Sequence, residues 1–264
     1  MTRRSVAVAG GMKLLWRDLR DSFLDRRCPG CSGRVPRERE ICDACDAAVS
    51  RSGIVLCISC LHRAPAEPRA QGACPRHGSR RLVLAGPHYG PTLERIVRAF
   101  KYEGCRALAP WLLTLLPDLP AGEGPWNREG VLVPIPLHPA RLAARSFDQA
   151  LLLADLLSGR SGIPVVEALA RVRDTPPQAR LGPDRRHANV RGAFRAIRPE
   201  LVRGRPVLLL DDVVTTGSTL LEAADVLEEA GAGWILSITA AHGGTDDPAE
   251  EAIQRAVATT GEVC

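Results

Sequence analysis

The run VLLLDDVVTTGSTL, residues 207–220, sets two adjacent carboxylates, Asp211 and Asp212, between aliphatic residues and a string of small polar ones. Thr215, Thr216, Ser218 and Thr219 offer hydroxyl donors, and Gly217 lets the backbone approach a ligand closely. The aliphatics read as a buried strand arriving at the carboxyl edge of a parallel sheet, where open α/β folds bind ligands. A helix beginning near Gly217 would present N–H groups that have no intrahelical partner, with a dipole that favours an anion. The loop therefore reads as a phosphate cradle. The acids just before it would repel a phosphate but accept hydrogen bonds from sugar hydroxyls. A 5-phosphoribosyl group suits this order, with ribose across the acids and phosphate in the loop. A Walker-type loop would need a Lys after the glycines, and a dinucleotide fingerprint would need GxGxxG; the chain has neither.

A second set of reactive side chains lies far upstream. CPGC, CDAC, CISC and CPRH supply Cys28 and Cys31, Cys42 and Cys45, Cys57 and Cys60, and Cys74 and His77. Two residues between donors let a tight knuckle aim both at one ion, and thiolates with a neutral imidazole suit tetrahedral zinc. Four such pairs supply donors for two closed structural zinc sites, with no open position for a substrate. Sequential pairing of the knuckles competes with nesting of the middle two, and His62 competes with His77 for the last place. Seven of the nine cysteines fall between residues 28 and 74, which in an intracellular chain favours metal over disulfides. Cys105 and Cys264 stand outside the array.

The elements that must position these groups can be read from periodicity. MKLLWRDLRDSFL, residues 12–24, has the spacing of an amphipathic helix. Residues 28–77 are rich in Cys, Pro, Gly and Arg and poor in large apolar side chains, so a module there needs a staple. From residue 82 the texture changes. RLVLAG, VLVPIPL, GIPVVEAL, RPVLLL and WILSITAAH read as strands. PTLERIVRAFKYEG, CRALAPWLLTLL, PARLAARSFDQALLLADLLSGR and GSTLLEAADVLEEAG read as helices, the third as one long helix. Strands alternating with helices imply an α/β fold with a parallel sheet. Residues 171–192 lack an apolar period and carry many arginines, so they read as a long functional loop with a short helix at its end. The organisation is a helix and double zinc module over 12–80, an α/β domain over 81–242 and a polar acidic tail over 243–264.

Charge is unevenly spread. Residues 1–80 and 141–205 each carry a net +7, and residues 206–264 a net −10, within a total of +5. Basic segments can meet the phosphates of a nucleotide or of a nucleic-acid backbone. They can equally be solvated surface in an arginine-biased chain, since 33 of the 35 basic residues are Arg. No apolar run approaches the roughly 20 residues needed to span a bilayer, and the N-terminus does not read as a signal peptide, so the expected compartment is the cytoplasm.

All positions from Val207 to Thr219 fit the phosphoribosyl pyrophosphate (PRPP) motif of type I phosphoribosyltransferases. YGPTLERIVRAFKYEG, VLVPIPLHPARLAARSFDQALLLADLL, LARVRDTPPQARLGPDRRHANVRGAF and the paired cysteines resemble the ComF family, over roughly residues 12–242. The resemblance implies a type I phosphoribosyltransferase-like α/β domain behind a double zinc ribbon. It also implies, in competent bacteria, a role in handling incoming single-stranded DNA during natural transformation. Carried over to this chain, Asp211, Asp212, Val213, Val214, Thr215, Thr216, Gly217, Ser218 and Thr219 would hold PRPP with Mg²⁺. Arg141 and Arg145 would neutralise pyrophosphate, with Gln149 beside them. Gln178, Arg185, Arg186 and Asn189 are candidate contacts from the long loop, and the backbone of VPIPLHPAR, residues 133–141, is a candidate N–H donor. Asp211, Asp212 and Arg145 are the candidate catalytic residues. The family usually reads RGFNQ where this chain has RSFDQ, residues 145–149. Ser146 restricts the backbone there, and Asp148 adds a negative charge beside the phosphate site.

Three functions compete. One is transfer of phosphoribosyl to a nitrogen acceptor through an oxocarbenium-like transition state, where positioning and charge carry catalysis. A second is a single-stranded DNA-handling protein, working with competence proteins, that keeps the cradle for a nucleotide or strand end. A third is a PRPP or nucleotide sensor docked to a partner through the zinc module.

Overall fold

A computed structural model describes residues 26–64, 74, 81–119, 129–175 and 190–243. The expected helix over residues 12–24 and the acidic tail beyond Gly243 lie outside these residues. The chain divides into two compact units, residues 1–48 and 49–264.

In the smaller unit, residues 26–48 form a knuckle at Cys28–Cys31 and one short helix, α1 (Asp43–Ala47). The Cys42 side chain caps α1 by accepting from Cys45 N–H. An Arg26–Glu40 ion pair at 2.9 Å and an Arg39–Asp43 pair tie the turns together.

The larger unit is built on a five-stranded sheet. Its strands are β1 (Ile54–Cys57), β2 (Leu82–Ala85), β3 (Val131–Pro134), β6 (Val207–Val214) and β7 (Ile235–His242), in the spatial order β1-β2-β7-β6-β3. All neighbours are parallel except β1, which runs antiparallel to β2. The strand that delivers Cys57 is thus part of this sheet. β2 and β3 are buried along their whole length, as parallel strands covered on both faces must be. A separate antiparallel pair, β4 (Leu169–Arg171) and β5 (Phe194–Ala196), brackets the arginine-rich loop.

Helices α2 (Pro91–Tyr102), α3 (Ala109–Leu113), α4 (Pro139–Arg145), α5 (Gln149–Ser161) and α6 (Ser218–Glu229) complete the unit. Pro91 opens α2, where its missing N–H costs nothing, and the helix buries Leu93, Ile96, Val97 and Phe100. Three expectations change. The single helix over residues 139–160 is two, because Ser146 ends α4 in the left-handed region (φ 69°) and Asp148 starts α5 as its N-cap. CRALAPWLLTLL is a 3₁₀ turn at Arg106–Leu108 followed by the short α3. GIPVVEAL is not a strand up to Leu169, where β4 begins: Val165 bridges Leu132, and Pro134, which has no N–H, cannot continue that ladder.

Candidate functional site

Strand β6 does not stop before the acids, as expected from sequence, but carries them. It pairs with β7 through Asp211↔Thr239 and on to Val214↔His242, so both carboxylates are held on backbone fixed by a ladder. The strand ends at a tight turn in which Gly217 adopts φ 73° and caps α6 with its backbone alone. An added Cβ there would overlap the Ile58 carbonyl oxygen, so only glycine fits. Beside it the Thr216 and Ser218 hydroxyls lie 2.9 Å apart.

This edge opens into a cavity of about 500 Å³. Asp211, Asp212, Val213, Thr215, Thr219, Arg141, Arg145 and Gln149 all line it, drawn from β6, α4, α5 and α6. Val214, Thr216, Gly217 and Ser218 are not in its wall; Ser218 and Val214 are buried, and Gly217 packs on Ile58. Gln178, Arg185, Arg186 and Asn189 lie outside the described residues, as does His77.

The cavity also contains groups that were not among the candidate site residues, though they lie in the segments that carry the family resemblance. Lys101, on the last turn of α2, makes a 2.9 Å ion pair with Asp212 Oδ1. Burial works against its charge, but Asp212 and Asp211 outweigh that and raise its pKa. Asp211 is pushed up to about 7, first by burial and then by the charge of Asp212, with Lys101 and Arg171 opposing. Arg171 on β4 is displaced downward by burial and by Arg141; it lies over the Phe194 ring and donates to Thr175 at 2.6 Å. Arg145 stacks 4.7 Å from the Tyr102 ring centroid and donates to Gln149 Oε1 at 3.0 Å. Arg141 pairs with Asp174 at 3.0 Å. Lys101 carried a signal after all, being one of only two lysines in an arginine-biased chain. Both tyrosines of the chain, Tyr89 and Tyr102, line the same cavity.

The departures at RSFDQ acquire structural roles. Asp148 accepts from Leu137 N–H at 2.8 Å and from Leu151 N–H at 3.1 Å, so it caps α5 and anchors the turn after β3. Burial raises its pKa against those backbone bonds. This limits the donors of residues 133–141. Leu137 N–H is held by Asp148, Ile135 N–H by Leu210, and Pro134, Pro136 and Pro139 have none. With five cations (Arg98, Lys101, Arg141, Arg145, Arg171) against four carboxylates, the cavity suits a ligand that is both anionic and rich in hydroxyls.

The cysteines gather into two groups, and the pairing is sequential. Cys28, Cys31, Cys42 and Cys45 place their Sγ atoms within 4.8 Å of one another, and Cys57, Cys60 and Cys74 do the same. Sγ separations of 3.5 Å (Cys31–Cys42) and 3.7 Å (Cys60–Cys74) approach the about 3.8 Å edge of a tetrahedral zinc–thiolate site. Backbone N–H groups of Gly33, Cys42 and Cys45 point at Sγ atoms of the first group at 3.4–3.5 Å. Burial disfavours the Cys28 thiolate, but backbone N–H groups of Cys42, Cys31 and Gly30 outweigh it and bring the thiol to about 7. Both groups have the donor chemistry of structural zinc sites. His62 is not in the second group.

A phosphoribosyl transferase domain model matches residues 150–261. The DNA utilization protein YhgH of Escherichia coli O157:H7 is 31% identical over 216 residues, covering 79% of this chain and 86% of that protein. The chain belongs to the ComF family. Competence protein F of Haemophilus influenzae is 28% identical over 219 residues, 80% of this ComF-family chain and 94% of its relative. Among solved structures, orotate phosphoribosyltransferase from Aeropyrum pernix overlaps 73% of the chain and 93% of its own, at 14% identity and a TM-score of 0.31. No helix among the described residues is long and apolar enough to cross a membrane.

Proposed function

We propose that this ComF-family chain binds PRPP or a phosphoribosyl nucleotide with Mg²⁺ in the β6–α6 cavity, and that it transfers the phosphoribosyl group to a nitrogen acceptor. The observation that carries this reading is that Asp211 and Asp212, fixed near the carboxyl end of β6, share one cavity with the arginine cluster and with Thr215 and Thr219, which flank the Gly217 turn. The acids accept from ribose hydroxyls, and the N-terminus of α6 with Thr215 and Thr219 receives the 5-phosphate. Arg141 and Arg145 meet a leaving pyrophosphate in the bidentate geometry that guanidinium allows. Mg²⁺, bound with the ligand, supplies further neutralisation of its phosphate charge. Gln178, Arg185, Arg186 and Asn189 remain the candidate contacts from the long loop.

Titration calorimetry with PRPP and Mg²⁺ tests the site. Wild type binds, and the Asp211→Asn/Asp212→Asn variant loses binding by tenfold or more, as removal of two charged acceptors requires (about 1.4 kcal/mol per decade). Equal affinities in the two proteins refute the assignment. Release of pyrophosphate on addition of an amine or nucleobase panel reports turnover.

A second reading, handling of single-stranded DNA in natural transformation, is favoured by the names of the relatives, a DNA utilization protein and a competence protein, and by the two +7 segments. It requires binding to single-stranded DNA that weakens steeply with salt. A chain that fails to retard an oligonucleotide even at low salt does not work this way.

A further inference from the structure

We infer that the second cysteine knuckle braces the phosphate cradle, so that metal held by Cys57, Cys60 and Cys74 sets the conformation of residues 215–219. The inference rests on the reading of that turn as an anion site, and goes beyond it by assigning the zinc group a positioning role there.

The contact is direct. Ile58 lies between the two cysteines of CISC, is 1% exposed, and belongs to the same core cluster as Val214 and Leu220, which flank the cradle. Its carbonyl oxygen fills the space a side chain would take on Gly217, and its Cγ2 lies 3.0 Å from the position of such a Cβ. The left-handed Gly217 therefore has two causes: the turn into α6 and the close seating of the knuckle carbonyl. Backbone hydrogen bonds among the described residues hold the knuckle. Cys57 N–H donates to His62 O at 3.0 Å, Leu61 N–H returns to Cys57 O at 2.7 Å with Leu61 in the left-handed region, and Ile58 N–H donates to Arg81 O at 2.9 Å. Its thiols face the Cys74 thiol, with Cys60 Sγ 3.7 Å from Cys74 Sγ. The three Sγ atoms lie within 4.8 Å of one another, and a tetrahedral ion among them would lock them in register. Releasing that lock frees Cys60 and the turn holding Ile58, and the carbonyl against Gly217 moves with it. Coupling of this kind is reciprocal: whatever shifts Gly217 must also change how tightly the knuckle holds its metal.

Both directions are measurable on the intact chain. Hydrogen exchange is followed by mass spectrometry in the zinc-loaded wild type, in Cys60→Ser and in Cys31→Ser, the last altering the other cysteine group. Cys60→Ser is expected to speed exchange in residues 215–219 by about tenfold while residues 207–210 of β6 keep their protection. Cys31→Ser leaves residues 215–219 unchanged. In the reverse direction, Gly217→Ala is expected to speed release of one zinc equivalent to a colorimetric chelator by about tenfold, with the other equivalent released as in wild type. Should Cys60→Ser fail to fold, the Gly217→Ala measurement decides alone. Unchanged exchange in residues 215–219 in folded Cys60→Ser, or wild-type zinc release from Gly217→Ala, overturns the coupling. PRPP calorimetry on the same wild-type sample reports separately: no binding with the coupling intact removes the ligand assignment and leaves the brace.

Discussion

Replacing Lys101 with methionine tests the electrostatic logic of the site. The side chain keeps its length and its packing on α2 but loses the charge that faces Asp212 at 2.9 Å. At an effective dielectric near 20 the attraction at this separation is about 6 kcal/mol, most of it offset by the cost of taking both ions out of water. What the variant reveals is the orphaned carboxylate. Asp212 is only 10% exposed, so it retains its desolvation cost with no partner, whereas Lys101 itself is 21% exposed. Breaking a buried pair from one side costs about 3–5 kcal/mol, and the partial exposure of Lys101 places this case near 3. With a urea m-value of about 3 kcal/mol per molar for a unit of this size, the midpoint falls by about 1 M at unchanged slope. Asp212→Asn added to Lys101→Met removes the orphan and should restore stability to within about 1 kcal/mol of wild type. Urea unfolding of the wild type, both single variants and the double variant measures the cycle. Strictly additive losses would refute the claim that Lys101 acts through Asp212.

Asp211 gives a pH signature of opposite sense. Burial and Asp212 raise its pKa to about 7, above the roughly 3.9 of the unfolded chain. Between these values the folded state holds a proton that the unfolded state has released, so stability falls as pH rises from about 4 to 7 and stays lowered above. Asp211→Asn should flatten that fall and gain about 2–4 kcal/mol at pH 8 while losing ligand binding; a thermal unfolding series in which the variant keeps the wild-type slope contradicts the assignment. Asp148→Asn leaves one oxygen for two N–H donors, Leu137 and Leu151. It should cost about 1 kcal/mol and speed exchange at Leu137 N–H, and an Asn variant as stable and protected as wild type would show that the second oxygen holds nothing.

The strand, turn and helix start of residues 207–220 were legible because the parts are contiguous. Aliphatics, acids, Gly217 and a helix start follow one another in fourteen residues, and each type has one physical use there. The partners of the acids were not legible, because α2 and β4 bring Lys101 and Arg171 to the cavity from positions up to 111 residues away from Asp212. Local pattern also misled where one residue outweighed periodicity. Apolar spacing runs through residues 139–160, yet Ser146 in the left-handed region and the Asp148 cap divide the helix. The acids looked like the end of a strand because charge is rare inside one. The ladder to Thr239, Ala241 and His242 holds them in it, and the cavity with Lys101 accepts their charge. Spacing found the cysteine knuckles but could not partition them. That needed the fold, which places Cys57 at the end of β1 in the main sheet, beside Cys60 and Cys74.

The side chains around the cavity are held by the protein, and unevenly so. Asp212 is held by Lys101, Asp211 accepts from Asp212 N–H at 2.8 Å, and Arg145 is fixed between the Tyr102 ring and Gln149. A ligand meeting these groups need not order them, which saves about 0.5–1.5 kcal/mol per side chain that would otherwise be immobilised. Arg141 differs. Its partner Asp174 is 51% exposed, so the pair is a weak, solvent-screened one that a phosphate can displace at little cost. The site thus has a fixed floor on β6, where hydroxyls would be read, and an exchangeable cation at its rim, where phosphate charge would be met. A rigid acid pair sets orientation, and the loosely held arginine can enter and leave with the anion. That division would suit the proposed phosphoribosyl ligand, whose pyrophosphate charge would arrive and depart at the rim.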